Sequence, residues 1–385
     1  MAGTVTYTEF TYYSSSVYRK EHYSMKRLLK YALSIAVMSG LAVTPVFAQT
    51  EIHVLDVGQG LSVLVESRGH YMLYDGGDRD KSSFVVSYLK EEKVSSLDYV
   101  IASHYDADHL NGVVGALNVF PVKQVFSPDY TADTRVFNSF QSVIETKSIE
   151  RKQPQVGTTY ELGDASFQIL SPSGENYSDP NNYSIGIRIT DGASSFLITG
   201  DAESDSEKEI CKTNLELESN VYIMGHHGSG TSTSWQLLQK ATPEYAILSC
   251  GTGNTYGHPH IESMEKLQDM EIQLLRTDKQ GTIIASTDGT SIAWNTAPCN
   301  DYSTGDINDK PIQPQKQDSQ KQSSNVTQNQ VTTGAEYILN TSTKKMHYPD
   351  CNSVKQMKEK NKKATSESRD SLITQGYSPC GNCRP

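Results

Sequence analysis

The segment Ser103-His104-Tyr105-Asp106-Ala107-Asp108-His109 sets four potential metal ligands within six residues. Imidazole nitrogens beside hard carboxylate oxygens suit Zn²⁺ or Mn²⁺, and such a cation lowers the pKa of a bound water. A strand-to-helix loop can direct His104 and Asp106 to one cation and Asp108 and His109 to a second. A helix N-cap would account for one Asp, but not for two Asp together with two His.

Further segments share this placement. Residues 196–199 form an apolar run ending in Gly200-Asp201, and an Asp there can bridge two cations; otherwise Gly-Asp is a turn. Residues 221–224 lead into Gly225-His226-His227-Gly228-Ser229, whose glycines let the backbone approach a ligand closely. Tyr256-Gly257-His258-Pro259-His260 precedes a helical pattern, and a helix N-terminus beside His suits a phosphate. The plainer alternative is a Pro-led helix start with two solvated His. Asp75-Gly76-Gly77 reads as a tight turn from which Asp75 orients the metal loop. Asn182-Tyr183-Ser184 precedes a strand.

The elements that must hold these residues follow from periodicity. Strands are expected at 52–56, 62–66, 70–74, 97–102, 167–170, 185–190, 195–199, 221–224, 245–249 and 282–286. Helices are expected at 83–92, 111–117, 233–240 and 261–268. Together they make residues 49–299 one α/β unit, large enough for a sizeable core.

The 385 residues carry a net charge of −11, with 36% hydrophobic residues and six cysteines. That mixture excludes collagen-like, wholly disordered and multi-span membrane proteins, and six cysteines are too sparse for a disulfide-stapled scaffold. Lys26, Arg27 and Lys30 precede a short apolar run over 31–43 and a Val46-x-Ala48 cleavage pattern. Residues 25–48 therefore read as a signal peptide, with the true start at Met25 and residues 1–24 a misassigned extension. An uncleaved membrane tether is the alternative. Export implies a secreted protein with no membrane span after cleavage, in a compartment that permits disulfides. Residues 300–335 are polar and are expected to be a flexible, disordered linker.

The pattern His104-x-Asp106-x-Asp108-His109 resembles the metal signature of the metallo-β-lactamase fold. With Leu55-Asp56-Val57-Gly58-Gln59-Gly60, Asp75-Gly76-Gly77, Asn182-x-Ser184, Gly200-Asp201, His226-His227-Gly228-Ser229 and His258-Pro259-His260, it resembles the extracellular hydrolase domain of the ComEC competence proteins. The resemblance implies an αββα sandwich with a dinuclear centre that hydrolyses phosphodiesters, DNA first among them. His104 and Asp106 would hold one cation, Asp108 and His109 the other, and Asp201 would bridge them. His227 is the preferred further ligand and His226 the fallback. Asp75 and Asn182 would support the ligands. Asn182 and Ser184 stand where commoner members of the fold carry another ligand His, and Asp106 replaces a usual His. Both changes make the site richer in oxygen and favour Mn²⁺. The catalytic set is Asp108, Asp201, His258, Ser184 and Ser229, with the last two and His258 binding phosphate or protonating the leaving oxygen. Lacking the competence proteins' run of membrane helices, the chain is expected to be a free relative of that domain.

Residues 336–385 form a second module. His347, Cys351 and the Cys380-x-x-Cys383 pair give a candidate Cys₃His structural zinc site; one disulfide plus a free thiol is the alternative. The segment resembles the cysteine-containing domain of some secreted Gram-positive nucleases and, more distantly, the Ada metal-binding domain. It carries nine Lys/Arg against five Asp/Glu, leaving the preceding 335 residues at −15. Lys355, Lys358, Lys360, Lys362 and Lys363 suit a nucleic acid or an anionic wall polymer, or simply a solvated face. Cys211, Cys250 and Cys299 are expected to be buried thiols.

Three functions are weighed: a secreted nuclease or phosphodiesterase; a hydrolase of the same fold acting on another ester, such as a phosphocholine ester, or on a lactam; and a surface-binding protein with a vestigial hydrolase domain.

Overall fold

The computed structural model describes residues 50–305, 337–380, 383 and 385. The expected leader and extension, and nearly all of the expected linker, lie outside the described residues.

Two sheets face each other. The first takes its strands in the order β15-β14-β1-β2-β3-β4-β5-β6. These are β1 (Thr50–Val54), β2 (Val63–Ser67), β3 (His70–Tyr74), β4 (Leu97–Ile101), β5 (Val122–Phe126), β6 (Glu150–Lys152), β14 (Ile283–Thr287) and β15 (Ile292–Trp294). The second runs β13-β12-β11-β10-β9-β8-β7. Its strands are β7 (Thr159–Leu162), β8 (Ala165–Ile169), β9 (Ile187–Asp191), β10 (Ser194–Ile198), β11 (Val221–Ile223), β12 (Tyr245–Leu248) and β13 (Gln273–Arg276).

Period-2 alternation sorts the side chains. In β2, Val63 and Val65 face the inter-sheet core with Phe196 and Ile198 of β10, while Leu64 and Leu197 point outward. The outward apolar residues are covered by helices. Helices α1 (Ser82–Glu91), α2 (Ala107–Val119) and α3 (Arg135–Lys147) cover the first sheet; α4 (Ser204–Lys212), α5 (Trp235–Ala241) and α6 (Ile261–Asp269) cover the second. Both sheets are thus buried on both faces, which yields the expected αββα layers.

Helix α2 begins at Ala107, four residues before its expected start, so Asp108 and His109 lie in its first turn. It buries His109, Leu110, Val113, Ala116 and Leu117, the i, i+3, i+4 stripe of a packed helix. A close glycine contact fixes it: a Cβ on Gly112 would overlap the Gly76 carbonyl oxygen, and Gly112 N donates to Gly77 O. This seats the metal-loop helix directly against the turn that carries Asp75.

The packed unit runs past residue 299, correcting the expected linker start at 300. Arg276 donates to the carbonyls of Asp301 and Ser303, and Gly305 N donates to Pro259 O. A buried guanidinium needs those acceptors, and they hold the chain down.

The C-terminal module is a four-stranded sheet, β18 (Lys362–Thr365), β16 (Tyr337–Asn340), β17 (Lys345–His347) and β19 (Ser378–Pro379), with helices α7 (Asn352–Gln356) and α8 (Arg369–Thr374). Its apolar cluster is small: Tyr337, Leu339, Met346, Leu372 and Tyr377. The module sits against α6 and the turn after it. Lys345 Nζ lies 2.9 Å from Glu265 Oε1, Lys358 Nζ lies 2.6 Å from Glu271 Oε2, and Asn361 donates to Glu271. Lys358 of the expected basic stripe is therefore paired with the hydrolase unit, and Lys362 with Glu359. Among the described residues no helix is long and apolar enough to cross a membrane.

Candidate metal centre

Donor residues come from loops at one edge of the sandwich. The loop after β4 and the first turn of α2 supply His104, Asp106, Asp108 and His109. The turn after β10 supplies Asp201, and the 3-10 turn Gly225–Gly228 after β11 supplies His226 and His227. Their ligand atoms form two groups, each within 4.8 Å: His104, His109 and Asp201; and Asp108, His109 and His227. Asp201 Oδ2 lies 3.2 Å from His109 Nε2, 3.3 Å from His227 Nε2 and 3.7 Å from His226 Nε2.

The pairing differs from the expected one. Asp108 and His109 do fall in one group, joined by His227, whereas His104 groups with His109 and Asp201 and not with Asp106. His109 is fully buried between His104 and His227, with ring centroids 4.3 and 5.1 Å away, and belongs to both groups. Asp106 belongs to neither group. It occupies the N-cap of α2 without making a cap bond, its side chain is 54% exposed, and it approaches His104 Nε2 at 3.8 Å.

Hydrogen bonds set which ring nitrogens are free. Fully buried Asp75 accepts from Ser103 N at 2.8 Å, Ser103 Oγ at 2.7 Å and His109 Nδ1 at 2.8 Å. Having given its proton to Asp75, Ser103 Oγ accepts from His104 Nδ1 at 3.0 Å. One carboxylate thus fixes both imidazoles with Nε2 as a lone pair. His227 Nδ1 donates to Ser249 O at 3.1 Å, with the same result. The three Nε2 atoms and Asp201 Oδ2 converge. His104 Nε2 and Asp201 Oδ1 are buried with no hydrogen-bond partner. Buried acceptors left facing one another are costly unless a cation joins them, so these residues fit divalent metal.

The neighbouring carboxylates favour the protonated imidazoles of His109 and His227, so a divalent cation bound at these nitrogens would displace protons. Burial opposes ionisation of Asp201, yet His109 and His227 hold its carboxyl well below the usual range. Burial lowers His109, but Asp201, Asp75 and Asp108 raise it well above an ordinary imidazole. His227, opposed by burial and raised by Asp201 and Asp108, is pushed up to about 9. Burial, then His109, depresses His104 to about 4. His226 and His227 both adopt left-handed backbone, at φ 50° and 54°. Such strain costs on the order of 1–3 kcal/mol per residue and persists where surrounding structure enforces it.

His258 lies beside this set, 5.5 Å from the His226 ring and 6.3 Å from the His227 ring. Gly251 N donates to Gln59 Oε1, which orients that amide so that its Nε2 donates to His258 Nδ1 at 3.3 Å. Burial and the neighbouring His227 and His226 depress His258 to about 3, so its proton sits on Nε2, free to donate.

Other expected residues take supporting places. Ser184 has no accessible surface; its Oγ accepts from Asp201 N at 3.0 Å and lies 3.5 Å from His104 Nδ1. In this arrangement it braces ligands and presents no surface. Buried Ser229 is likewise engaged with Thr231 inside its own turn. Asn182 Oδ1 accepts from Glu203 N and Ser206 N, capping α4 and holding the turn after Asp201. Ser103 and Gln59 were not singled out as site residues. Gln59 sits in a recognised motif, whereas Ser103 gives no signal beyond its place next to His104.

The chain matches the metallo-beta-lactamase superfamily over residues 55–252. The chain belongs to that superfamily. It is 29% identical over 255 residues to ComE operon protein 3 of Bacillus subtilis, covering 61% of this chain and 33% of the relative. It is 30% identical over 237 residues to competence protein ComA of Neisseria gonorrhoeae, covering 61% and 32%. Recombination protein 2 of Haemophilus influenzae is 32% identical over 241 residues, covering 60% and 28%. This metallo-beta-lactamase-fold chain is therefore related to competence proteins, and spans about a third of their length.

A second donor group closes the C-terminal module. His347, Cys351, Cys380 and Cys383 have ligand atoms within 4.8 Å of one another. His347 is fully buried with both ring nitrogens unpartnered, which fits a metal rather than an ordinary core histidine. All six cysteines are free thiols; Cys211 and Cys250 are buried as expected, and Cys299 is half-buried with Sγ donating to Leu274 O.

Proposed function

We propose that this chain is an exported, metal-dependent phosphodiesterase that cleaves DNA. The observation that carries the reading is the gathering of His104, His109, His227, Asp108 and Asp201 at one edge of the sandwich, with His104 Nε2 and Asp201 Oδ1 buried and unpartnered. Divalent cations held there would supply a Lewis acid and an activated water. Asp108, His109 and His227 would hold one; His104 and Asp201 would hold the other, with Asp106 as its solvent-side ligand, because His109 has only its Nε2 lone pair to give. Asp75 keeps the lone pairs aimed. His258 Nε2–H stands ready to donate to a phosphate or leaving oxygen. Carboxylates in three of the ligand positions make the set hard and favour Mn²⁺ alongside Zn²⁺.

Relatives named for competence and recombination support DNA as substrate over a phosphocholine ester or a lactam. A complete donor set speaks against a vestigial domain. In the module, His347 and the three thiols would hold a tetrahedral structural zinc, and Lys355, Lys360 and Lys363 would meet an anionic polymer.

The test is a panel: Mn²⁺- and Zn²⁺-loaded protein on linear DNA, a small phosphodiester, a phosphocholine ester and a lactam, with chelator controls. Chelator-sensitive DNA cleavage is expected. Turnover of another substrate with no DNA cleavage under either metal overturns the reading.

A further inference from the structure

Tyr256 has no role in the arrangement above, and its ring is 64% exposed. One face stacks on His258, with centroids 5.6 Å apart and planes 23° from parallel. The other face is open. The backbone beneath is fixed on both sides: Tyr256 N donates to Asn254 Oδ1, and Tyr256 O accepts from His260 Nε2. An exposed aromatic on a braced loop loses little freedom on binding.

A second aromatic group flanks the other end of the centre. Tyr183 and Tyr130 are half-buried and 4.6 Å apart, Tyr177 packs edge-on against Tyr183 at 4.9 Å and Tyr105 lies 4.5 Å from Tyr130, and the Tyr130 hydroxyl accepts from Tyr105 N, between ligands His104 and Asp106. Beside Tyr130 opens a cavity of about 400 Å³, lined also by Arg151 and Gln153. Ring contacts run from His104 through His109, His227 and His258 to Tyr256, so the two tyrosine groups bracket the donor set.

We infer that these brackets are base-stacking platforms and that the substrate is a single-stranded polynucleotide crossing the metal centre from Tyr183 to Tyr256. This rests on the DNA-phosphodiesterase reading. Charge decides between backbone and base recognition. Residues 1–335 carry −15, so affinity cannot come chiefly from phosphate contacts. Stacking tolerates that charge, and only unpaired bases offer their faces.

The test compares an oligothymidylate with an abasic strand of the same length and charge, using Mn²⁺-loaded full-length protein. The wild type should show a KM roughly tenfold lower for the base-bearing strand. Tyr256→Ala should remove most of that preference, Tyr183→Ala part of it, and Tyr256→Phe almost none. Equal KM for the two strands, a preference kept by Tyr256→Ala, or competition by phosphocholine overturns the inference while leaving the phosphodiesterase reading intact. A linear duplex of the same length is the control: cleavage of the duplex but of neither single strand overturns the inference alone, and cleavage of no DNA overturns both.

Discussion

The two donor groups of this protein are opposite in kind. One sets imidazoles and carboxylates at the rim of a sandwich whose sheets are each buried on both faces. The other sets three thiols and an imidazole in a module with five clustered apolar side chains. In the first, the scaffold comes before the metal: Asp75, Ser103, Ser184 and Ser249 aim the ligands whether or not an ion is bound. Asp106 and Asp108 leave a side open to solvent, as the proposed catalysis needs. In the second, His347, Cys351 and Cys380 are buried, and a core that small would leave much of its folding to the zinc proposed there. A prepared site can be open because its scaffold stands alone, whereas a closed site serves as the scaffold.

The strongest way to break this contrast is Asp201→Ala. It removes the one carboxylate oxygen that lies within 3.7 Å of the Nε2 atoms of His109, His226 and His227. Activity should fall by roughly 10³-fold or more, and metal per chain should drop at the sandwich alone; elemental analysis of the purified variant checks this. Loss of the module's metal as well would show that the sites are not independent.

Next comes Cys380→Ser. The module should lose its ion and become protease-sensitive, because it lacks other sources of stability. Hydrolase activity should persist, since every residue aiming the sandwich ligands lies before residue 260. Limited proteolysis with a parallel rate measurement distinguishes the two halves.

Asp75→Asn sharpens the claim that the scaffold aims the lone pairs. The amide cannot accept three hydrogen bonds as the carboxylate does, so His104 and His109 lose their fixed tautomers. Metal affinity or activity at the sandwich should fall about 10–100-fold, read by calorimetric titration, with the thiol site unchanged.

Glu271→Ala should have the smallest effect. Its pair with Lys358 is half-exposed and contributes about 0–1 kcal/mol. A melting temperature within a few degrees of wild type is expected; a large drop would mean that docking against the sandwich, rather than metal, stabilises the module.

Much of the site was legible because each donor follows an apolar strand and the loops are short. The elements that carried motifs were found within a few residues. Elements without chemistry were missed: β5, α3 with its Phe137, Phe140, Val143 and Ile144 stripe, and α4. The α3 stripe was visible in the sequence, but β5 is buried on only part of its length and α4 is polar on most of its surface. The basic stripe misled in part, since two of its lysines find carboxylates nearby.

By itself the sequence determined the donors, their order along the chain and the layered fold, because ligand chemistry and hydrophobic period are local properties. Only the tertiary structure decided the partition. His109 serves both donor groups, Asp106 stands at the rim, Ser184 braces instead of binding, and Asp75 governs two imidazoles at once. The physical reason is that which lone pair faces which atom depends on helix phase and on hydrogen bonds between residues tens of positions apart. No spacing rule encodes those until the two sheets close on each other.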